Sequence, residues 1–316
     1  MSNLLQTAAY SGLLGYLGRK EKNALIQVQP RLVSLDPHPG RLIHACNKRN
    51  VARLRMLLES GRAPWGWPRL RYKGDYGYPH EAANLFEAAF NAYCQEAALV
   101  AVGYIDKWTP ESAAWAIGKL SHISWTDVAD ALLAVGGPKT LEHLRGNTNR
   151  VLCSGSDAMI RWYAAHGADL NVRCNVYGET ALKHHAYFTN KDKVALLLSL
   201  GARPDPATVA SCFDRYHYHR EEDPEGSGDW DAMEILGMLI PHADMRALHR
   251  GMTPMMQLVS EVWGRGDLLA LMLKHGADPA QQNDSRQTAL WWAERTRAFG
   301  EPCQEYVAAL RGASRT

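Results

Sequence analysis

The chain has 316 residues, of which 46% are hydrophobic and 22% are charged, and its formal net charge is +2 at pH 7. These values are typical of a folded, soluble protein, and they argue against a disordered chain or a strongly basic nucleic-acid-binding protein. The longest apolar stretch, at residues 97–105, is too short to cross a bilayer. The basic residues near the N-terminus follow the apolar ones, so we expect no secretory signal and a cytoplasmic location.

The N-terminal part of the chain combines an irregular segment with a basic region. Residues 1–40 are predicted to form N-terminal capping helices and a proline-containing connection. Residues 41–73 contain nine Lys or Arg residues and a single acidic residue, Glu59. A local excess of positive charge of this size predicts a docking surface for a partner with an acidic or mixed surface.

A segment rich in aromatic and basic residues follows at residues 62–80. Its glycines and prolines argue against a core helix, and aromatic and arginine side chains dominate the binding energy of many interfaces. We therefore predict a partner-binding finger; the alternative is that its tryptophans fold back over an open end of a helix stack. The predicted contact residues are Trp65, Trp67, Arg69, Arg71, Tyr72, Lys73, Tyr76 and Tyr78.

A short tag recurs in the second half of the chain at the spacing of one supersecondary unit. It reads His-Gly-Ala-Asp at 166–169, Leu-Gly-Ala at 200–202, His-Ala-Asp at 242–244 and His-Gly-Ala-Asp at 275–278. The alanines, at 168, 202, 243 and 277, are 34, 41 and 34 residues apart, and each tag follows an apolar helical run. Weaker tags add glycines at 61, 103, 136 and 312. This period predicts stacked helical repeats in which a left-handed glycine ends a helix.

A second, shorter helix is predicted upstream of each tag. Thr180, Thr253 and Thr288 can cap such helices, and Pro254 fits the first helical position. Residues 216–229 are predicted to form an acidic loop between the two helices of one unit. Residues 80–150 are also predicted to be helical, either as divergent repeats or in another arrangement.

The chain resembles the ankyrin repeat family. The resemblance rests on Gly-Glu-Thr-Ala-Leu at 178–182, Arg-Gln-Thr-Ala-Leu at 286–290 and Gly-Ala-Asp-Leu-Asn at 167–171. It covers residues 157–313 most fully and 41–63 less fully, and it extends over 80–150 only in period and helical content. It implies an all-α, ankyrin-like helical repeat solenoid of about seven to eight helix–turn–helix units over residues 41–313, with an inserted finger loop.

The same resemblance implies a protein–protein interaction module and not an enzyme. Residues just after the first helix of a unit face the concave groove in this family, which makes Lys48 and Arg49 predicted contacts, with Arg41 beside them. Tyr187 and Phe188 occupy similar positions, where a groove contact and a packing role are both open. Proteins of this sort often resemble bacterial or viral effectors, immunity factors or inhibitors, some delivered into a host cell.

Recognisable catalytic and metal-binding motifs are missing from the sequence. It contains no Gly-rich phosphate loop, no Gly-x-Ser-x-Gly and no His-Glu-x-x-His, and its six cysteines are scattered singly. We therefore expect no metal, no cofactor and free, buried thiols. Two alternatives stay open: a nucleic-acid-binding protein that uses the basic and aromatic region 41–73, and an enzyme with its site in the block 80–150.

Overall fold

The computed structural model describes residues 39–59, 70–73, 79–105, 107–173, 178–222, 230–262, 264–295 and 304–313. Within these residues, α-helices follow one another in eight consecutive pairs, and a β-hairpin lies between the first two pairs. The chain divides into two compact units, Met1–Asn147 and Thr148–Thr316. The all-α helical repeat predicted from the sequence is confirmed.

Most first helices of the pairs are short. They are α1 (Pro39–Asn47), α3 (Leu85–Asn91), α5 (Pro110–Lys119), α7 (Thr140–Ser154), α9 (Ala181–Tyr187), α11 (Pro206–Glu222), α13 (Pro254–Glu261) and α15 (Ala289–Arg295). The second helices are α2 (Val51–Glu59), α4 (Gln95–Tyr104), α6 (Thr126–Gly136), α8 (Asp157–Ala165), α10 (Lys191–Ser199), α12 (Trp230–Leu239), α14 (Gly266–Lys274) and α16 (Gln304–Ala313). Single 3₁₀ turns follow α5 and α12, at Leu120–His122 and Ile240–His242, and the hairpin consists of β1 (Leu70–Lys73) and β2 (Pro79–Ala82).

The first compact unit stacks its helices in two layers. In the layer of first helices α1 packs on α3, and in the layer of second helices α2 packs on α4 and α4 on α6. The apolar faces of the two layers meet, and Leu42, Leu54 and Phe86 are fully buried between them. The Phe86 ring also makes edge-to-face contacts with Trp108 and Trp115, at centroid distances of 6.0 and 6.4 Å. Within the block 80–150, α3 pairs with α4 and α5 with α6.

The second compact unit has the same two-layer plan. Its first helices α9, α11, α13 and α15 pack in series, and its second helices pack as α10 on α12 and α14 on α16. Val194, Leu197, Met256 and Leu269 are among the buried side chains of this core. In a core of this kind, each helix pair buries its apolar stripe against its neighbours only.

Six helices end in one recurring hydrogen-bond pattern. After α10, for example, the amide of Gly201 donates to the carbonyl of Leu198 (3.0 Å) and the amide of Ala202 donates to that of Leu197 (2.9 Å), which is the Schellman motif. The left-handed residues of these six turns and their φ values are Gly167 (77°), Gly201 (95°), Gly276 (90°), Arg49 (49°), Tyr93 (49°) and Thr189 (53°). The tag is thus the cap of a second helix, and non-glycine residues occupy the matching position after three first helices.

Three of the tag glycines do not adopt the left-handed turn predicted for them. Gly103 and Gly312 lie inside α4 and α16, and Gly136 is the last residue of α6. The left-handed residue after α6 is Gly137, with a φ of 77°. The sequence pattern marked the correct ends of these helices but not the residue that adopts the left-handed turn. Gly61 lies outside the described residues.

The predicted helix starts agree with the structure. The hydroxyls of Thr180, Thr253 and Thr288 each accept a hydrogen bond of 3.2 Å from the amide three residues later, and Pro254 is the first residue of α13. These caps satisfy backbone donors that a helix leaves open at its N-terminus.

Two segments differ from the sequence predictions. Residues 216–222, predicted to belong to the acidic loop, continue α11, which ends at Glu222; residues 223–229 lie outside the described part. The flanks of the predicted finger form β1 and β2, where we had expected a loop. The predicted cap at residues 1–38 also lies outside the described part. Among the described helices, none is long and apolar enough to span a membrane.

Candidate functional site

The β-hairpin places the described finger residues in a fixed register. Its strands are antiparallel, and Tyr72 lies opposite His80 and Arg71 opposite Glu81. Because side chains alternate along a strand, Tyr72 and His80 share one face, with ring centroids 5.8 Å apart, and the other two residues share the opposite face. The predicted contact residues Arg71 and Tyr72 therefore point to opposite sides of the hairpin.

The Tyr72 face of the hairpin is tied to the layer of first helices. The Asn91 side-chain amide, at the end of α3, donates to the Glu81 carbonyl (2.9 Å) and to the Tyr72 hydroxyl (3.3 Å). A capping pair joins β2 to α3, since the Asn84 side chain accepts from the Glu87 amide at 2.8 Å. Tyr72 is half-buried, and burial raises the pKa of its hydroxyl. It anchors the hairpin on α3.

The Arg71 face of the hairpin is open. The Arg71 side chain is 85% exposed, and its Nε lies 2.6 Å from Oε1 of Glu81. The Glu81 carboxylate partly neutralises the guanidinium of Arg71. Arg71 would therefore contact a partner through its long side chain and its hydrogen-bond donors more than through a free charge. Lys73 ends β1. The other predicted finger contacts, Trp65, Trp67, Arg69, Tyr76 and Tyr78, lie outside the described residues.

The predicted basic contacts around α1 differ in exposure. Lys48 and Arg49 are exposed in the turn between α1 and α2. Arg41 is only half-exposed on α1, and its buried Nη1 has no hydrogen-bond partner among the described residues. The sequence predictions did not include Tyr93, which has the position of Arg49 in the turn between α3 and α4 and is 66% exposed. Its spacing from the end of α3 matches the spacing of Arg49 from the end of α1, and this shared spacing is the sequence signal that could have identified it.

The second compact unit carries a small aromatic cluster after α9. Phe188 is 58% exposed, and its ring lies 5.3 Å from that of Tyr187 and 4.8 Å from that of His184. Tyr187 is half-buried, and the Arg215 guanidinium of α11 lies 5.9 Å from its ring centroid. The arrangement gives Tyr187 a packing role and leaves Phe188 available for contact.

The described residues contain no group of three or more His, Cys, Asp or Glu side chains placed to hold a metal ion. Cys46, Cys94, Cys153 and Cys212 are free thiols, and burial raises the pKa of Cys46 to about 12, which keeps it protonated and unreactive. Cys174 and Cys303 lie outside the described part.

One buried histidine has a clear structural role. His185 of α9 is 4% exposed, and its Nε2 lies 3.0 Å from the carbonyl oxygen of Leu152, in the last turn of α7. Burial lowers the pKa of this imidazole, so the neutral form donates to a carbonyl that the helix end leaves open. His185 therefore joins neighbouring helix pairs.

Comparisons with known proteins show only distant structural similarity. No protein-family model and no curated sequence matches this chain. Solved structures similar to it include the ankyrin repeat domain of Bcl-3, a member of the IkappaB protein family, with a TM-score of 0.42 and 16% identity over 86% of this chain and 97% of that one. Another is the ankyrin repeat domain of human ASB11, with a TM-score of 0.36 and 14% identity over 86% of this chain and 96% of that one. At these values the fold assignment rests on the helix pairs described above.

Proposed function

We propose that this protein is a protein–protein interaction module that docks a partner through its layer of first helices and the 62–80 finger. The observation that carries the proposal is the anchoring on α3, by Asn91, of the hairpin strands that flank the aromatic and basic segment. A binding loop held by a rigid scaffold loses little conformational entropy when it engages a partner. The proposal includes a role for this protein as a bacterial or viral effector, immunity factor or inhibitor.

Exposed side chains at the ends of first helices, present in each of the two compact units, also support a binding role. Lys48 and Arg49 follow α1, and Phe188 follows α9. Arginine and large aromatic residues supply most of the binding energy at interfaces once they are desolvated. Exposed residues of this kind at the ends of helices suit a protein surface better than a small ligand, which needs a concave pocket.

Affinity capture from a native, nuclease-treated lysate, with identification by mass spectrometry, tests this proposal. The binding variant replaces Trp65, Trp67, Arg69 and Arg71 with alanine, and the matched control replaces Arg311, an exposed arginine of α16 that pairs with Glu294. We expect a protein that the wild type and the control retain and the binding variant loses. Retention by all three would place the site away from the finger, and capture of no protein would contradict the proposed function.

A second candidate function is nucleic-acid binding, because nine of the ten charged residues in 41–73 are basic. Affinity for an oligonucleotide would then fall steeply with salt, in proportion to the number of phosphates contacted. The near-neutral chain, with its net charge of +2, favours a protein partner. Absence of oligonucleotide binding at low salt would eliminate this second candidate.

A further inference from the structure

The surface around the start of α2 carries positive charge that the described part of the chain does not neutralise. Arg49, Arg53 and Arg55 are exposed, and their guanidinium groups form no ion pair within the described residues. Lys48 is exposed beside them, and the one acidic residue of α2, Glu59, lies at its far end. The three arginines thus lie within the seven residues 49–55, and Lys48 directly precedes them.

Comparison of the second helices shows what is missing at this surface. The helices α4, α6, α8, α10, α12, α14 and α16 each have an acidic residue in the first turn, where it offsets the positive end of the helix dipole. The first turn of α2 has none and carries Arg53 instead. The N-terminus of α2 is capped by Asn50, whose Oδ1 accepts from the Arg53 amide at 2.9 Å, but no carboxylate in the first turn of α2 offsets the positive charge there.

Apolar features border the same charges. Tyr93, 66% exposed, lies in the neighbouring turn, after α3, which packs on α1. An open groove of about 500 Å³ runs between α2 and α4, which is room for one or two apolar side chains. Its lining residues are Val51, Ala52, Arg55, Glu96, Leu99 and Val100.

The turns after α1 and α3 present two large side chains to solvent. Arg49 and Tyr93 hold left-handed φ values of 49°, a conformation that glycine adopts without cost and that other residues adopt at about 1–2 kcal/mol. Thr189 holds the matching position after α9, with a φ of 53°, so non-glycine residues recur after first helices. What distinguishes the turns after α1 and α3 is the size and exposure of Arg49 and Tyr93.

We propose that this surface, formed by Lys48, Arg49, Arg53, Arg55 and Tyr93 with the α2–α4 groove, binds an acidic peptide segment of a partner protein. The carboxylates of the segment pair with the arginines, and an apolar side chain of the segment enters the groove past Tyr93. Glu96 is the one acidic side chain in the groove lining. The basic residues outnumber it, so the charge of the surface remains complementary to that of an acidic ligand. The inference rests on the proposed function and adds a docking surface that does not use the finger.

A probe of defined chemistry tests the inference. We would measure by fluorescence anisotropy, at low salt, the binding of a fluorescein-labelled peptide of glutamate and leucine, beside the same peptide with glutamine and beside oligothymidylate. The binding variant combines Arg49→Glu and Arg53→Glu. The control is Arg161→Glu, which reverses the charge of an exposed arginine on α8 that also has no ion pair within the described residues.

We expect the wild type and the control to bind the glutamate peptide about tenfold more tightly than the glutamine peptide, and the binding variant to lose this preference. Arg53→Glu places an acid in the first turn of α2, so a fall in melting temperature should not accompany the loss. Equal binding of the two peptides, or a preference that survives in the variant, would overturn the inference. Tighter binding of oligothymidylate than of the glutamate peptide would also overturn it in favour of nucleic acid.

The outcomes separate this inference from the proposed function. A partner captured from lysate that the finger variant loses and the Arg49→Glu/Arg53→Glu variant keeps would leave the interaction module standing and overturn the acidic-segment site. Loss of the same partner from both variants would support a continuous interface over the finger and α2.

Discussion

Two glycines with the same place in the repeat tag should respond to alanine with opposite signs. Gly201 has a φ of 95°, whereas Gly103 lies inside α4. A Cβ atom added at either position meets no heavy atom within 4 Å. Neither substitution therefore creates a clash, and the change in the free energy of unfolding reports the backbone conformation alone.

The expected magnitudes follow from the two conformations. Gly201→Ala forces an alanine into the left-handed region, which costs about 1–2 kcal/mol, and the stiffer unfolded chain returns about 0.4–1 kcal/mol, so we expect a net loss of about 1 kcal/mol. Gly103→Ala removes a glycine from a helix, where it is about 0.8–1.0 kcal/mol less favourable than alanine, so we expect a gain of up to that size. Each change corresponds to a shift of about 2–4 °C in melting temperature.

Urea denaturation followed by circular dichroism, with the slope against denaturant compared between variants, measures both changes. The two glycines lie in different compact units, so each variant is compared with wild type at the transition of its own unit. Stabilisation by Gly201→Ala would refute the assignment of the tag glycine as the left-handed cap. Destabilisation by Gly103→Ala would refute the helical assignment of that residue.

Three further outcomes follow from buried hydrogen bonds. His185→Phe should cost about 1–3 kcal/mol, because the carbonyl of Leu152 loses its donor, and thermal denaturation at neutral pH checks this. Burial lowers the pKa of His185, so as the pH falls the unfolded chain binds a proton at this histidine before the folded protein does. The stability that neutral His185 contributes should therefore be complete above the ordinary histidine pKa of about 6.5 and should decline at lower pH. His185→Phe should not show this decline. Tyr306→Phe should cost about 1–3 kcal/mol in urea denaturation, because the buried hydroxyl donates to the Val262 carbonyl (2.9 Å) and accepts from the Arg265 amide (3.0 Å); an unchanged midpoint would contradict this role.

The sequence predicted the repeat architecture because helix caps are local. Thr180, Thr253 and the tag glycines satisfy backbone groups within a few residues of themselves, so their identity and spacing carry the information. The hairpin was not predicted, because its strands have four residues each and Asn91, which holds them, lies on the helix that follows. The exposure of Tyr93 was missed for a related reason: it depends on the turn geometry and the neighbouring pair.

The candidate surfaces were less predictable than the fold, because packing and ion pairing decide which charged side chains remain available to a partner. Arg71 reads as a free cation in the sequence, but it faces Glu81 across the hairpin. Arg53 and Arg55 read as an ordinary solvated helix face, and only the comparison with the first turns of the other second helices shows that a carboxylate is missing. Such pairings join residues that are distant in sequence, and single-sequence patterns do not encode them.

The links between α8, α10 and α12 also bear on how the second compact unit responds to mechanical load. Lys193 of α10 bonds Asp157 of α8 at 2.5 Å, and Lys191 of α10 pairs with Asp231 (2.7 Å) and Glu234 of α12. Each link joins adjacent pairs and skips none, so detaching a terminal pair leaves the inner links intact. Pulled from its end, this unit would lengthen in steps, one pair of about 34 residues at a time, and each step would release about 12 nm of chain. Its resistance to stretching is set by single junctions and not by the sum of all of them.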